Sequence, residues 1–194
     1  MLTIENTTKW FQLFSDKIIE NKDYLSELDT PIGDGDHGNN MARGAEVIQE
    51  LLKNQQFDTL SDLFKNVAMA FIKSVGGASG PLYGTAFIEM SKASKETSNP
   101  TELVATGLDG IKRRGASDVG AKTMIDVWAP VLEELKAGQL TIEKINADVE
   151  ATKALVATKG RASYLGERSI GHIDPGSMSS GYLFETLLET GALE

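Results

Sequence analysis

The chain has 194 residues, a length that fits one domain with a sizeable core. Its 19 Lys and Arg stand against 28 Asp and Glu, a formal charge of −9 that sets aside nucleic acid and an anionic membrane surface, since both are held by surplus cations. Cysteine is absent, which excludes disulfides, thiolate metal sites and a thiol nucleophile, and a composition 41% hydrophobic and 24% charged reads as an ordinary cytoplasmic globular chain.

No apolar run approaches the ~18–20 residues of a membrane span, and no basic stretch followed by an apolar one opens the chain as a secretory signal would. The elements, in chain order, are helical. Trp10, Phe11, Phe14, Ile18 and Ile19 recur at three-to-four-residue spacing and predict an amphipathic first helix. A second opens near Gly38–Asn39 and carries Val47, Ile48, Leu51 and Leu52. A third starts around Asp58 or Ser61, carries Leu63, Phe64, Val67, Phe71 and Ile72, and stops at the paired Gly76–Gly77. A fourth starts near Pro81 and carries Phe87, Ile88 and Met90. The fifth follows Asn99–Pro100 with Leu103, Val104, Leu108 and Ile111 and ends at Gly115. The sixth spans Met124 to Gly138, and Pro130 should start, kink or split it. The seventh carries Ile142, Ile145, Val149, Leu155 and Val156 and ends at Gly160, and the eighth runs from Gly176 to Thr190. Clean β alternation is lacking, so the expected fold is all-α, about eight helices without an essential sheet.

The segment that carries chemistry is Asp29-Thr30-Pro31-Ile32-Gly33-Asp34-Gly35-Asp36-His37-Gly38-Asn39-Asn40-Met41. Three carboxylates fall on a loop whose glycines let the backbone turn sharply and approach a ligand. A solvated acidic turn is the plain alternative, but no turn needs three carboxylates, a His and paired Asn. Gly33-x-Gly35-x-x-Gly38 matches the dinucleotide fingerprint only formally, because no strand precedes it and Asp34 and Asp36 would face the pyrophosphate. An EF-hand from Asp34 fails at its sixth position, Asn39, and its twelfth, Ala45. No Gly-Lys-Ser/Thr triplet makes a Walker A loop, and His37 and His172 cannot make a zincin pair. Hard oxygens suit Mg²⁺ or Ca²⁺, and the helix start at His37–Asn40 would favour phosphate beside a Mg²⁺ that completes its shell with phosphate oxygens. The metal would let an acidic chain hold a polyanion.

Two other segments fit. Gly76–Pro81 is a small-residue loop entering a helix, either a phosphate-facing N-terminus or a closely packed connector. Asp174-Pro175-Gly176-Ser177 reads as a capped helix start, with or without a ligand. Arg161 and Arg168 lie upstream as phosphate ligands or plain surface cations. Met124 and Trp128, one turn apart, are core residues or the wall of a base pocket, and His172 has no assigned role.

The string Gly33–Met41, with Gly76–Thr85 and His172–Ser177, resembles the nucleotide-binding L subunit family of dihydroxyacetone kinase, over essentially the whole chain and in the same order. The resemblance implies an antiparallel eight-helix barrel with a nucleotide at one end. It implies that Asp29, Asp34 and Asp36 hold two Mg²⁺ on the phosphates of ADP or ATP. His37, Gly38, Asn39 and Asn40, then Ala78 and Ser79, would contact the nucleotide. Gly115 and Met124 would border the adenine, and Arg161 with Asp174, Pro175 and Gly176 would close the site. In one setting such a domain is fused to a dihydroxyacetone-binding domain and uses free ATP. In the other it is a separate subunit whose ADP is rephosphorylated in place by a phosphotransferase-system M subunit and serves a partner K subunit. A chain of this length resembles the second, with a homodimer as a further option. The alternatives are the nucleotide domain of an ATP-using dihydroxyacetone or fatty-acid kinase, and, from another class, a divalent-cation-binding regulatory module.

Overall fold

The computed structural model describes residues 1–194 and contains nine α-helices, two 3-10 segments and no strand. Helix α1 (Ile4–Glu20) is started by Thr3, whose side chain accepts from the Asn6 amide while Asn6 returns the bond to the Thr3 backbone. Its buried face is Trp10, Phe11, Phe14 and Ile18, the spacing that predicted it. Helix α2 (Lys22–Asp29) has no counterpart in the sequence reading, because Leu25 is its one buried apolar side chain and eight residues leave no periodicity to detect. Helices α3 (His37–Asn54), α4 (Leu60–Ser74), α5 (Ser79–Ala93) and α6 (Pro100–Gly115) follow.

Helix α7 (Ile125–Ala137) runs through Pro130 unbroken. The carbonyl that loses its donor is that of Asp126, in the first turn and partly exposed, where water can replace the bond. Helix α8 (Ile142–Ala151) stops short of the expected Gly160, and a 3-10 turn (Thr152–Ala154) takes over. The carbonyls of Thr152 and Leu155 are claimed by the Lys122 ammonium, so a tertiary contact overrides helix continuation. A second 3-10 segment (Arg161–Ser169), interrupted at Gly166 (φ 55°, ψ −129°), leads to α9 (Pro175–Glu189). Val47, Ile72 and Val156, expected to face inward, are exposed.

The helices close into a ring. Each of α3 to α8 packs against the next in number, and α1 joins α9 to α3. Helix α2 lies outside this eight-membered ring against α3 and α9. Leu25, Phe64, Phe87, Leu103, Trp128 and Leu183 belong to one apolar core to which every helix contributes. The starts of α3, α5, α7 and α9 and the end of α6 line one cavity, so helix direction alternates around the ring, as in an antiparallel barrel. No helix is long and apolar enough to cross a membrane.

Candidate nucleotide and metal site

The cavity at that end of the barrel measures about 840 Å³, within the range of small-molecule sites. Its first wall begins at Asp29, the last residue of α2. One carboxylate oxygen of Asp29, Oδ2, accepts from the backbone amides of Asp36 (3.0 Å) and His37 (3.2 Å), which folds the 30–36 loop back over it. The other, Oδ1, lies where a Cβ on Gly33 would fall at 2.0 Å, so only glycine fits there. One oxygen each from Asp29, Asp34 and Asp36 come within 4.8 Å of one another. Burial raises the affinity of Asp29 for its proton, backbone hydrogen bonds partly offset this, and the charges of Asp34 and Asp36 raise it further. Converging hard oxygens that repel one another are a donor set that fits Mg²⁺.

The start of α3 is less open than its sequence suggests. The His37 amide is bound to Asp29 and the Gly38 amide to Ser26 Oγ at 3.1 Å. Gly38 packs so tightly that a Cβ would lie 1.6 Å from the Lys22 carbonyl oxygen. Gly38 and the exposed Asn39 lie outside the cavity lining, whereas His37 and Asn40 belong to it. The Asn39 amide is the one in that turn without a partner in the chain.

Free amides are concentrated instead in the second segment. The N–H groups of Gly76, Gly77, Ala78, Ser79 and Gly80 make no hydrogen bond within the chain, and α5 has no side-chain cap. Gly77 has φ +67°, and Ala78 beside it is right-handed, a pairing that turns successive amides to one side as an anion-binding nest. Gly76, Gly77, Ala78 and Ser79 line the cavity beside the acid loop, with Ser79 Oγ 3.3 Å from His37 Nδ1.

The third segment closes the opposite wall. Lys122, almost fully buried in left-handed conformation (φ +61°), donates to the carbonyls of Thr152 (2.8 Å) and Leu155 (3.1 Å). Burial lowers its pKa, opposed by the charges of Asp174 and Asp126. Asp174 caps α9 through the Ser177 amide (2.7 Å), and its own amide donates to Thr152 Oγ1. Burial pushes its carboxyl up to about 6, against the Ser177 hydrogen bonds. Asp126 receives the amides of Gly120 and Thr123, fixing the turn into α7.

The structure therefore brings Asp29, Asp34, Asp36, His37, Asn40, Ala78, Ser79, Gly115, Met124, Arg161, Asp174, Pro175 and Gly176 around one cavity. Met124 also belongs to the apolar core, so packing and cavity wall are one role here. Arg161 lines the rim and is paired with Asp34 (3.1 Å). Arg168 is exposed and outside the lining. Sequence reading missed Lys122, Arg114 and Lys159, which add cations to the lining. A lone basic residue between Ala and Thr carries no local signal, and only the fold reveals its burial.

Residues 31–189 match the family model described as the DAK2 domain. The "PTS-dependent dihydroxyacetone kinase, ADP-binding subunit DhaL" of Lactococcus lactis subsp. lactis (strain IL1403) is 55% identical over 192 residues, 99% of this chain and 100% of that protein. The "PEP-dependent dihydroxyacetone kinase 1, ADP-binding subunit DhaL" of Listeria innocua serovar 6a is 51% identical over 186 residues, 94% of each chain. Among solved structures, the dihydroxyacetone kinase from C. freundii in complex with AMP-PNP and Mg²⁺ superposes with a TM-score of 0.79 at 27% identity, covering 97% of this chain and 34% of that one.

Proposed function

The chain belongs to the DAK2 domain family, and from that premise we propose that it is the ADP-binding subunit of a phosphotransferase-system-dependent dihydroxyacetone kinase. The observation that carries this reading is that three converging carboxylates and four unpartnered amides, those of Gly76 to Ser79, line one cavity of nucleotide size. Asp29, Asp34 and Asp36 would hold two Mg²⁺ as ligands, with no role as general bases. The amides of Gly76, Gly77, Ala78 and Ser79 and the Ser79 hydroxyl would donate to phosphate oxygens, and Asn40 and His37 would flank them. Gly115 and Met124 would border the base, and Arg161 would close the rim together with Asp174, Pro175 and Gly176.

When bound, Mg–ADP supplies a phosphate chain that takes a phosphoryl group from the phosphocarrier M subunit and yields it to dihydroxyacetone on the K subunit, giving dihydroxyacetone phosphate. The residues of this chain position the phosphates and neutralise charge, which is most of what phosphoryl transfer asks of a protein. No side chain here is assigned a covalent role. The setting is the cytoplasm, where the phosphoryl donors of such a system reside. The test combines this chain with K and M subunits, phosphoenolpyruvate and the general phosphocarriers. Dihydroxyacetone phosphate should form with phosphoenolpyruvate and stop when the M subunit is left out. Equal product from free ATP without the M subunit would reassign the chain to an ATP-using kinase.

A further inference from the structure

Beneath the cavity floor, polar side chains from α3, α5, α7 and α9 meet inside an otherwise apolar barrel. Trp128 Nε1 lies 3.0 Å from Ser180 Oγ, which lies 2.9 Å from the Tyr83 hydroxyl. The Tyr83 hydroxyl lies 2.8 Å from Ser179 Oγ, and Ser179 Oγ lies 3.0 Å from His37 Nε2. The other ring nitrogen, Nδ1, is 3.3 Å from Ser79 Oγ on the cavity wall. Trp128, Tyr83, Ser179 and Ser180 are all fully buried, or nearly so.

The direction of this chain follows from donor chemistry. An indole N–H can only donate, so Ser180 accepts from Trp128. Ser180 has no other partner than Tyr83, so its hydrogen goes there. Tyr83 has one hydrogen and has accepted from Ser180, so it donates to Ser179. The Ser179 hydrogen then has two acceptors in reach, the Gly176 carbonyl (3.1 Å) and His37 Nε2. If it goes to Gly176, Nε2 must carry the ring proton, Nδ1 is bare, and Ser79 spends its hydrogen on Nδ1. Neither group then offers the cavity a donor. If it goes to Nε2, Nδ1 carries the proton and donates to Ser79 Oγ, which leaves the Ser79 O–H to face the cavity as a donor. An anionic occupant selects the second arrangement.

We propose that Tyr83 and Ser179 are positioning residues that hold the His37 ring as an Nδ1–H donor to Ser79 on the phosphate side of the cavity, with Trp128 and Ser180 setting the direction of the relay. The relay does not touch the nucleotide. It acts through His37, much as outer partners of a ligating histidine fix its tautomer. The identity of the anion rests on the functional reading above, whereas the direction of the hydroxyl chain does not.

The experiment uses the full chain labelled with ¹⁵N in histidine, of which there are only two, His37 and His172. A His172→Gln variant assigns the signals. With Mg–ADP bound, His37 Nδ1 should give a protonated, pyrrole-type shift and Nε2 an unprotonated, pyridine-type shift. In Tyr83→Phe the two shifts should move toward each other, with and without ligand, and ADP should leave about tenfold faster. Ser180→Ala, a smaller change, should move the ring shifts in the same sense, which guards against a Tyr83→Phe chain that folds poorly. Unchanged ring shifts in both variants, or an Nε2–H ring in the Mg–ADP complex, would overturn the relay. A parent chain that binds no nucleotide would overturn the functional reading alone, since the ring shifts of the free protein still report the relay.

Discussion

On one side of the cavity, Asp29, Asp34 and Asp36 lie close together in sequence, and amides of the same short loop hold the Asp29 carboxylate. On the other side, Lys122, Thr152, Leu155 and Asp174 come from segments far apart in sequence and are joined by long-range bonds, from the Lys122 ammonium to two carbonyls, from the Asp174 amide to Thr152, and from the Thr158 amide to the Ala121 carbonyl. The first wall keeps its geometry from local backbone chemistry, with a glycine wherever a side chain would collide. The second depends on the barrel being folded, because no two of its segments meet otherwise. A ligand that bridges the walls therefore joins a rigid local motif to a surface built by tertiary contact.

The largest expected effect comes from the first wall. Asp34→Ala removes a partly exposed carboxylate and its Arg161 pair, and should weaken Mg²⁺-dependent ADP retention about a hundredfold while helical content by circular dichroism stays at the parent level. Retention at the parent level would remove Asp34 from the metal site. Gly38→Ala comes next. A Cβ against the Lys22 carbonyl should push α2 off α3 and cost about 3 kcal/mol in denaturant unfolding, since backbone cannot yield as a flexible side chain would.

Lys122→Met tests the second wall. Two carbonyls lose a buried donor, which should cost about 2 kcal/mol and speed amide exchange in residues 152–160, with Mg²⁺ binding at the acids unchanged. Protection of that segment at the parent level would mean the wall stands without its lysine.

The smallest effect contrasts the walls by pH, in chelator and without nucleotide. His37 has a folded value of about 4 against 6.5, because burial disfavours its charge. The stability tied to it is present above 6.5 and lost as pH falls through 4. Asp174 has a folded value of about 6 against 3.8, so its contribution is full below 3.8 and lost as pH rises through 6. Asp174→Asn keeps a capping oxygen and removes the titration. Its stability relative to the parent should rise by roughly 1–2 kcal/mol from pH 4 to pH 7, read from urea midpoints. A flat difference would show that Asp174 is solvated.

Much of the barrel was legible because its cues are local. Thr3, Asn99 and Asp174 cap helices whose apolar spacing marks the inner face, and the acid loop announces itself by residue type alone. Helix α2 was illegible because it buries little apolar surface of its own. The early end of α8 was illegible because Lys122, distant in sequence, takes the carbonyls that would continue it. Ser179, Ser180 and Tyr83 look like breaks in an apolar face, and only the folded barrel shows them meeting His37. The first turn of α3 read as an open phosphate site, yet Asp29 and Ser26 already occupy two of its amides.

The most direct test of the central claim is the nucleotide content of the purified chain. Protein prepared with Mg²⁺ is desalted, denatured and its released nucleotide identified by chromatography, beside a sample treated with EDTA. The account predicts about one ADP per chain, lost on chelation, as expected when carboxylate-bound metal links the phosphates to the protein. A chain that retains nothing, or that keeps its nucleotide in EDTA, would contradict it.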